Sequence, residues 1–139
     1  MDYNRMFITV HPLSVETARW CAHDSRVDSI LMTPENISLF DKKQLGVMKY
    51  YSKPLEVTMK DLLDKVELRE LIYRRLKLYI SRRLPFILSS RAEKWCDLYP
   101  PLSLLKIMLT QYDVPDEISM LAISNIPEMI ISRKRIDNT

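Results

Sequence analysis

The feature that most limits the fold of this chain is the alternation of short apolar segments with longer amphipathic ones. Each short segment is rich in β-branched or large apolar side chains, as buried strands are. These segments are residues 6–10, 27–32, 55–58 and 85–90. Strands that alternate with helices are typical of βα units in a parallel sheet. The sequence therefore predicts an α/β fold in one domain, residues 1–139, with binding residues at the carboxyl ends of the strands.

Helical periodicity fills the segments between the predicted strands. Ser14 is a good N-cap for a helix that ends near Asp24, and a second helix is predicted over residues 39–51. The third, residues 62–84, has the clearest apolar stripe. That stripe contains Leu68, Leu71, Ile72, Leu76, Tyr79 and Ile80. A helical tail is predicted in three pieces, residues 101–111, 115–124 and 127–135, each with a proline in its first turn.

Composition excludes several classes of protein. The chain has 139 residues, 47% of them hydrophobic, so it can form a core, but it contains a single glycine, Gly46. A phosphate-binding P-loop or a dinucleotide fingerprint needs several glycines. Cys21 and Cys96 lie too far apart for a zinc knuckle and are predicted to be core residues in a reducing compartment. No apolar run approaches the roughly 20 residues of a membrane span, so we expect a cytoplasmic protein without membrane contact.

Positive charge is concentrated in the middle of the chain. The net charge is only +3, yet residues 69–94 contain eight Lys or Arg against Glu70 and Glu93. The flanking regions are slightly acidic and hide this excess. A local excess of this kind favours a polyanionic partner, of which nucleic acid is the most common. A solvated helix face is the simpler alternative.

Patterns for catalysis and metal binding are weak. A metal-dependent phosphoesterase could use His11, His23 and Asp24, but two histidines without HxH or HExxH spacing make a poor site. A serine nucleophile elbow would need glycines that the chain lacks. We therefore predict no catalytic residue and no metal ligand. Trp20, Trp95 and the tyrosines are spaced like core or interface residues, and not like platforms for stacking bases.

Six segments of the chain resemble one protein family in their order and spacing. The most characteristic is SSRAEKW, residues 89–95, which follows an apolar strand and precedes Tyr99-Pro100. The others are VDSILM, SLFDKKQLGVMK, LEVTMKDLL, the arginine-rich helix and SNIPEMIISR. Together they resemble ribonuclease P protein component 3, the archaeal counterpart of the eukaryotic 30-kilodalton subunit of that enzyme.

The resemblance implies both a fold and a function. It implies a partial TIM-like (PHP-like) barrel, N-terminally reduced to about four parallel strands with alternating helices and a helical tail. It also implies a non-catalytic subunit that supports a catalytic RNA in removing the 5′ leader of precursor tRNA. The protein itself would hold no cofactor, and Mg²⁺ is expected at the RNA. Its partners would be the ribonuclease P RNA, precursor tRNA and a small protein subunit.

A half barrel leaves its sheet open, so self-association or an N-terminal half supplied by another chain is also expected. The chain departs from the family after Trp95, where Leu98, Pro101 and Leu102 replace charged residues. This departure supports the alternative of a degenerate half-barrel scaffold for protein interactions with little RNA contact.

Candidate RNA-binding residues follow from charge, position and the resemblance. Cations neutralise phosphates, and hydroxyl groups after a barrel strand can donate to them. The candidates are Lys42, Lys43, Arg69, Arg74, Lys77, Ser89, Ser90, Arg91, Lys94, Arg133, Lys134 and Arg135. Local capping is the alternative for the two serines, and helix-dipole stabilisation is the alternative for the C-terminal cluster. For the two lysines near residue 42, the alternative is simple solubility.

Overall fold

The computed structural model describes residues 6–63 and 66–137, which contain an α/β fold with four parallel strands. The strands lie side by side in chain order: β1 (Thr9–Val10), β2 (Ser29–Leu31), β3 (Leu55–Thr58) and β4 (Phe86–Ser89). All four predicted strands are therefore confirmed, β3 with the same limits and the others one or more residues shorter. The sheet is open, since β1 and β4 do not pair with each other among these residues.

Helices connect the strands and form the C-terminal region. They are α1 (Val15–His23), α2 (Lys42–Tyr50), α3 (Met59–Leu63), α4 (Val66–Ser81), α5 (Pro101–Tyr112), α6 (Asp116–Met120) and α7 (Ile126–Asp137). Short 3₁₀ turns occupy Ile37–Leu39 and Trp95–Asp97. The single helix predicted over residues 62–84 is wrong in its limits, because α3 begins earlier, at Met59, and α4 ends at Ser81.

Polar side chains fix where the first two helices begin. The Ser14 hydroxyl accepts a hydrogen bond from the backbone amide of Thr17 at 3.1 Å, which confirms the predicted cap. Asp41 caps α2 in the same way through the Gln44 amide, at 2.8 Å. The helix predicted from residue 39 therefore starts later, because the preceding segment is folded around Asn36. That side-chain amide donates to the carbonyl oxygens of Pro12 and Leu31, both at 2.9 Å.

The two faces of the sheet differ in chemistry because side chains alternate along each strand. One face is apolar and fully covered, and it forms the core with the helices. It carries Ile30, Leu55, Val57, Phe86 and Leu88, all buried. The other face carries five polar residues, Thr9, Ser29, Glu56, Thr58 and Ser89, together with Leu31 and Ile87. The sheet holds the polar groups of this second face in fixed positions, because its opposite face is packed against the helices.

The structure corrects the predictions for two core residues, Leu71 and Cys96, and confirms the prediction for Cys21. Leu71 lies outside the core at 47% exposure, although Ile72, Leu76 and Tyr79 of the same helix are buried. The apolar stripe of α4 is therefore narrower than the sequence pattern suggests. Cys21 is buried as predicted, but Cys96 is exposed, because it lies in the 3₁₀ turn after β4.

The C-terminal region from Asp116 to Asp137 is one continuous helix with an irregular turn. Met120, Leu121 and Ile126 all have right-handed helical backbone angles, and residues Leu121–Asn125 form a π-helical turn. Pro127 lies just beyond this turn, inside the helix. The prediction that Pro127 starts a new helix is therefore wrong. Proline lacks an amide hydrogen and clashes with the carbonyl four residues earlier, and the wider π turn makes room for it.

Helix α7 returns to the beginning of the sheet. It contacts β4, and the Lys134 ammonium lies 2.8 Å from the Asp28 carboxylate, just before β2. Lys134 also donates a hydrogen bond to the carbonyl oxygen of Met6. The last helix is thereby attached to the amino-terminal edge of the sheet. Within residues 6–63 and 66–137, no helix combines the length and apolar character that a membrane crossing requires.

Candidate nucleic-acid interface

The topology divides the predicted RNA-binding residues between the two ends of the sheet. In a parallel βα fold, the segments that follow the strands all lie at the carboxyl edge. One group of candidates lies there, and we call it the carboxyl-edge group. It consists of Lys42, Lys43, Ser89, Ser90, Arg91 and Lys94. The remaining candidates lie along α4 and at the end of α7.

Both serines at the end of β4, Ser89 within the strand and Ser90 just after it, form intramolecular hydrogen bonds. Ser89 donates to a carboxylate oxygen of Glu56 at 2.8 Å. The Ser90 hydroxyl oxygen accepts a bond from the Ala92 backbone amide at 3.3 Å, so it helps to turn the chain. The sequence left local capping as the alternative role for the two serines, and this bond shows that role for Ser90. Each serine occupies a fixed position at the carboxyl edge.

Arg91 has an uncommon backbone conformation, with a φ of 48°. This left-handed region is sterically costly for any residue that carries a Cβ atom. The guanidinium is half exposed and lies 3.9 Å from the Asp61 carboxylate, which itself accepts a bond from Thr58 at 2.7 Å. Arg91 therefore keeps donors available to a ligand at the carboxyl edge.

The turn that follows Arg91 is held by Asp97. Its carboxylate accepts hydrogen bonds from the backbone amides of Lys94 at 3.0 Å and Glu93 at 3.1 Å. These two bonds, that from Lys94 first, hold the pKa of Asp97 below its ordinary value. The turn exposes 87% of Trp95. The prediction that Trp95 could be a core residue is therefore wrong, and the prediction of an interface role remains.

A cluster of hydroxyl groups around Glu56 was not predicted from the sequence. The Glu56 carboxylate accepts bonds from Thr9 at 2.7 Å, from Ser29 at 2.8 Å and from Ser89 at 2.8 Å. These partners come from β1, β2 and β4, so one side chain joins all four strands. The signal was a charged residue in the middle of the predicted strand LEVT, where apolar residues flank it.

His11 and Thr33 extend this polar face. His11 Nε2 and Thr33 Oγ1 lie 2.9 Å apart, beyond the ends of β1 and β2. In the part of the chain that the structure describes, no three His, Cys, Asp or Glu side chains are grouped so that they could hold a metal ion. The chemistry available on this face is hydrogen bonding and charge.

The candidates on α4 are engaged in contacts within the protein. Arg74 pairs with Glu70 on the exposed face, and Lys77 pairs with the Asp113 carboxylate at 3.0 Å. Arg69 donates to the Leu63 carbonyl oxygen at 3.3 Å, and its buried Nε has no hydrogen-bond partner among the described residues. Arg74 and Lys77 present charge to solvent, whereas Arg69 is largely committed to the fold.

The C-terminal candidates lie at the opposite end of the sheet from the carboxyl-edge group. Lys134 forms the ion pair with Asp28, in which the two side chains are only 16% and 9% exposed. Arg133 and Arg135 are exposed on the same helix. The structure therefore does not bring all the predicted residues together: Ser90 and Lys94 line one pocket at the carboxyl edge, whereas Lys42 lines a different one with Lys49 and Arg82.

A polar hollow of about 350 Å³ adjoins the carboxyl-edge group. It lies between α3 and the segment after β4, and the Lys60–Glu93 ion pair spans these two parts. Hydroxyl, ammonium and phenol groups face it from Ser90, Lys60, Lys94 and Tyr99. The fold and this surface define an α/β protein whose carboxyl edge carries hydroxyl groups and charges of both signs, since Glu93 and Asp97 line the same pocket. No protein-family model matches the chain, and no curated protein matches it significantly.

Proposed function

We propose that this chain is a non-catalytic protein subunit of ribonuclease P, which supports the catalytic RNA in removing the 5′ leader of precursor tRNA. One observation carries the proposal. Two of the family-like segments, LEVTMKDLL and SSRAEKW, are distant in sequence but contact each other at the carboxyl edge. Their contacts are Glu56 with Ser89, Lys60 with Glu93, and Asp61 with Arg91.

In this role the protein contributes charge and shape, and the RNA performs the reaction. Lys42, Lys43, Arg91 and Lys94 would neutralise phosphates that otherwise repel one another when the RNA folds. Mg²⁺ would be bound by the RNA. We place this complex in the cytoplasm, in keeping with two cysteines that are unpaired, one of them exposed.

We also propose that the sheet corresponds to half of a TIM-like barrel. Sequential parallel strands with helices on the apolar face support this interpretation, because each βα unit of such a barrel has that arrangement. Helix α7 and the π turn pack against β4. In the described part of the chain β1 pairs with β2 alone, so the edge of β1 is where a second chain would add.

A protein-interaction scaffold is the second candidate function, and a specific observation favours it. Leu98 and Leu102 are 62% and 64% exposed, close in sequence to the exposed Trp95. Grouped apolar side chains on a surface often mark a protein interface. The small partner subunit of the same enzyme, or a second copy of the chain, would be the occupant in this interpretation.

The proposed function is tested by affinity purification of the full chain from its native cell, with and without ribonuclease treatment. We expect one structured RNA in the eluate, together with 5′ cleavage of precursor tRNA that ribonuclease abolishes. Recovery of protein partners without RNA or cleavage would overturn the ribonuclease P proposal and support the scaffold.

The surface involved is identified with paired variants of the tagged chain. Arg91→Ala with Lys94→Ala should reduce RNA recovery. Arg82→Ala with Arg83→Ala removes the same charge at the opposite end of the sheet, just after α4, and should leave recovery unchanged. Arg69 is unsuitable for this comparison, because its contact with Leu63 makes loss of folding the expected effect.

A further inference from the structure

We propose that Trp95 and Lys94 bind an unpaired nucleotide of an RNA, with the base stacked on the indole and a phosphate beside the ammonium. This inference rests on the proposed function, because an RNA must reach the carboxyl edge. It goes further by naming the ligand class, which is single-stranded RNA and not a duplex. It departs from the expectation from sequence spacing, which gave no sign of a stacking platform, because the exposure of Trp95 is visible only in the structure. Stacking suits any base, since every base has a π face.

The exposure of Trp95 is the first observation. Tryptophan is highly buried on average because its large apolar surface favours burial, yet 87% of this side chain is exposed. The other tryptophan is different: Trp20 is 44% exposed, and the Arg26 guanidinium lies over its ring at 5.7 Å. Trp95 contributes little to the folded core and has its ring surface available to a flat ligand.

The rigidity of the turn is the second observation. Besides its bonds to the Asp97 carboxylate, the turn is closed by backbone bonds from Asp97 to Lys94 at 3.0 Å and from Leu98 to Trp95 at 3.2 Å. The backbone under the indole is therefore fixed before a ligand arrives. A preorganised site gives up less conformational entropy on binding than a mobile loop does.

The positive charge beside the indole is the third observation. It favours a nucleotide over an apolar protein partner as the ligand. Lys94 is exposed and forms no ion pair within 4 Å among the described residues, and its nearest acidic influence is Asp97, whose pKa it helps to lower. Arg91 lies three residues earlier, with its guanidinium half exposed. An aromatic ring flanked by available cations is the arrangement with which proteins bind unpaired nucleotides. The adjoining hollow adds Tyr99, a second aromatic side chain that is 39% exposed.

The test uses Trp95 as its own reporter. The chain has two tryptophans, so Trp20→Phe leaves Trp95 as the only one. This protein is titrated with a short oligouridylate, with an abasic oligomer of equal length and charge, and with a duplex RNA. We expect oligouridylate to quench Trp95 fluorescence strongly and the other two to leave it nearly unchanged.

Affinity provides the second readout. Trp95→Ala in the full chain should weaken binding of oligouridylate by about 5- to 150-fold, the range typical for removing one stacking platform. Trp95→Phe should retain most of the affinity, and Trp20→Phe should retain all of it. Because Trp95 is exposed, these variants should keep the stability of the parent protein.

The outcomes separate this inference from the proposed function. If RNA binds but neither Trp95 fluorescence nor the affinity of Trp95→Ala changes, the inference is overturned and the proposed function stands. If no RNA binds the full chain at any salt concentration, both are overturned. If Trp95→Ala loses a protein partner and keeps its RNA affinity, the indole belongs to a protein interface and the inference is also overturned.

Discussion

Arg91 combines a costly backbone conformation with a position in the candidate interface. A residue with a Cβ atom in the left-handed region costs about 1 kcal/mol relative to glycine. Such strain often persists at binding sites because the side chain is needed there. Arg83 has the same kind of conformation, with a φ of 60°, at the opposite edge of the sheet. Comparing the same substitution at the two arginines therefore separates an effect on stability from an effect on RNA binding.

Replacing Arg91 by glycine should increase stability and reduce RNA binding. Relief of the strain, less the added flexibility of glycine in the unfolded chain, gives an expected gain of about 0.5 kcal/mol in the free energy of unfolding. Urea denaturation measures this gain. Arg83→Gly should give a similar gain without loss of RNA affinity. Equal loss of affinity in both variants would show that only total charge matters.

Asp24 provides a pH-dependent contribution to stability. Its carboxylate accepts bonds from the Arg26 side chain at 2.7 and 3.0 Å and from the Arg26 backbone amide at 2.9 Å. The side-chain bonds, followed by the backbone bond, lower the pKa of Asp24 from 3.8 to about 2. Because the folded pKa is the lower one, this stabilisation is complete above the unfolded value and is lost as pH falls toward 2.

Asp24→Asn should therefore flatten the acid side of the stability profile. Urea unfolding of both proteins, measured from about pH 5 down to about pH 2, gives the comparison. The variant should be less stable at the upper end, with the difference shrinking as the pH falls. A constant difference across this range would show that Asp24 stays ionised or contributes equally in the unfolded chain. Asp41 and Asp97 also have lowered pKa values. The stability of both proteins should therefore still decrease somewhat as the pH falls.

The sequence locates a candidate residue correctly only where its place next to a predicted strand or helix determines its position in the fold. Ser89 and Ser90 end a predicted strand and Arg91 and Lys94 follow it, so their place at the carboxyl edge was predictable. The contact of Arg69 with the Leu63 carbonyl depends on how α3 meets α4, which sequence periodicity does not specify. The sequence left Trp95 open between a core and an interface position, because a hydrophobic side chain gives no sign of its exposure when it lies in an irregular turn.

At the scale of elements, Glu56 connects β3 to every other strand. Glu56→Ala should lower the free energy of unfolding by about 2 kcal/mol, because three hydroxyl groups lose a charged acceptor. Glu56→Gln keeps an acceptor oxygen and should cost less. Thermal and urea denaturation provide the measurement. If the two variants lose equal stability, the charge of Glu56 is the essential property, and not its bonding geometry.

Lys134 fastens α7 to the sheet, and its removal should affect stability more than RNA binding. Lys134→Ala removes the cation paired with the Asp28 carboxylate, whose side chain is 9% exposed, and leaves Lys53 as the nearby positive charge. Breaking such a pair costs about 3 kcal/mol. Replacing the exposed Arg135 with alanine should cost almost nothing and is the control. A stable Lys134→Ala protein with weaker RNA binding would place Lys134 in the interface instead.

Most elements of the fold were predictable because local patterns determine them. The strands and α1 follow from apolar alternation and from the Ser14 cap, and the parallel arrangement follows from their connection by helices. The late start of α2 was not predictable, since it depends on bonds from Asn36 to distant carbonyls. The π turn before Pro127 was missed because helical packing there overrides the usual role of proline at a helix start.

At the scale of the whole molecule, the positive segment of the sequence is divided in space. Residues 69–94 run along α4 and then through β4, so Arg82 and Arg83 lie at the amino edge while Arg91 and Lys94 lie at the carboxyl edge. A charge excess counted along the chain therefore overstates the charge that any one surface presents. Lys42, although it follows β2, lines a pocket with Lys49 and Arg82, so its charge is not added to that of Arg91 and Lys94.

The salt dependence of RNA binding should identify the edge that meets the RNA. Alanine at Arg91 and Lys94 together should reduce the slope of log affinity against log salt by roughly 0.7 to 0.9 for each phosphate that is no longer neutralised. Alanine at Arg82 and Arg83 should leave the slope unchanged. Filter binding over a series of salt concentrations measures both. A larger change for the second variant would place the RNA at the amino edge.

The attachment of Lys134 to Asp28 and Met6 also bears on how the protein matures during synthesis. A chain emerging from the ribosome can pair its four strands early, but the ion pair at the start of β2 waits until residue 134 has been made. Contacts so distant in sequence form late and slow the final step of folding. The nascent protein therefore passes through a stage in which the Asp28 carboxylate is accessible, until α7 docks and Lys134 pairs with it.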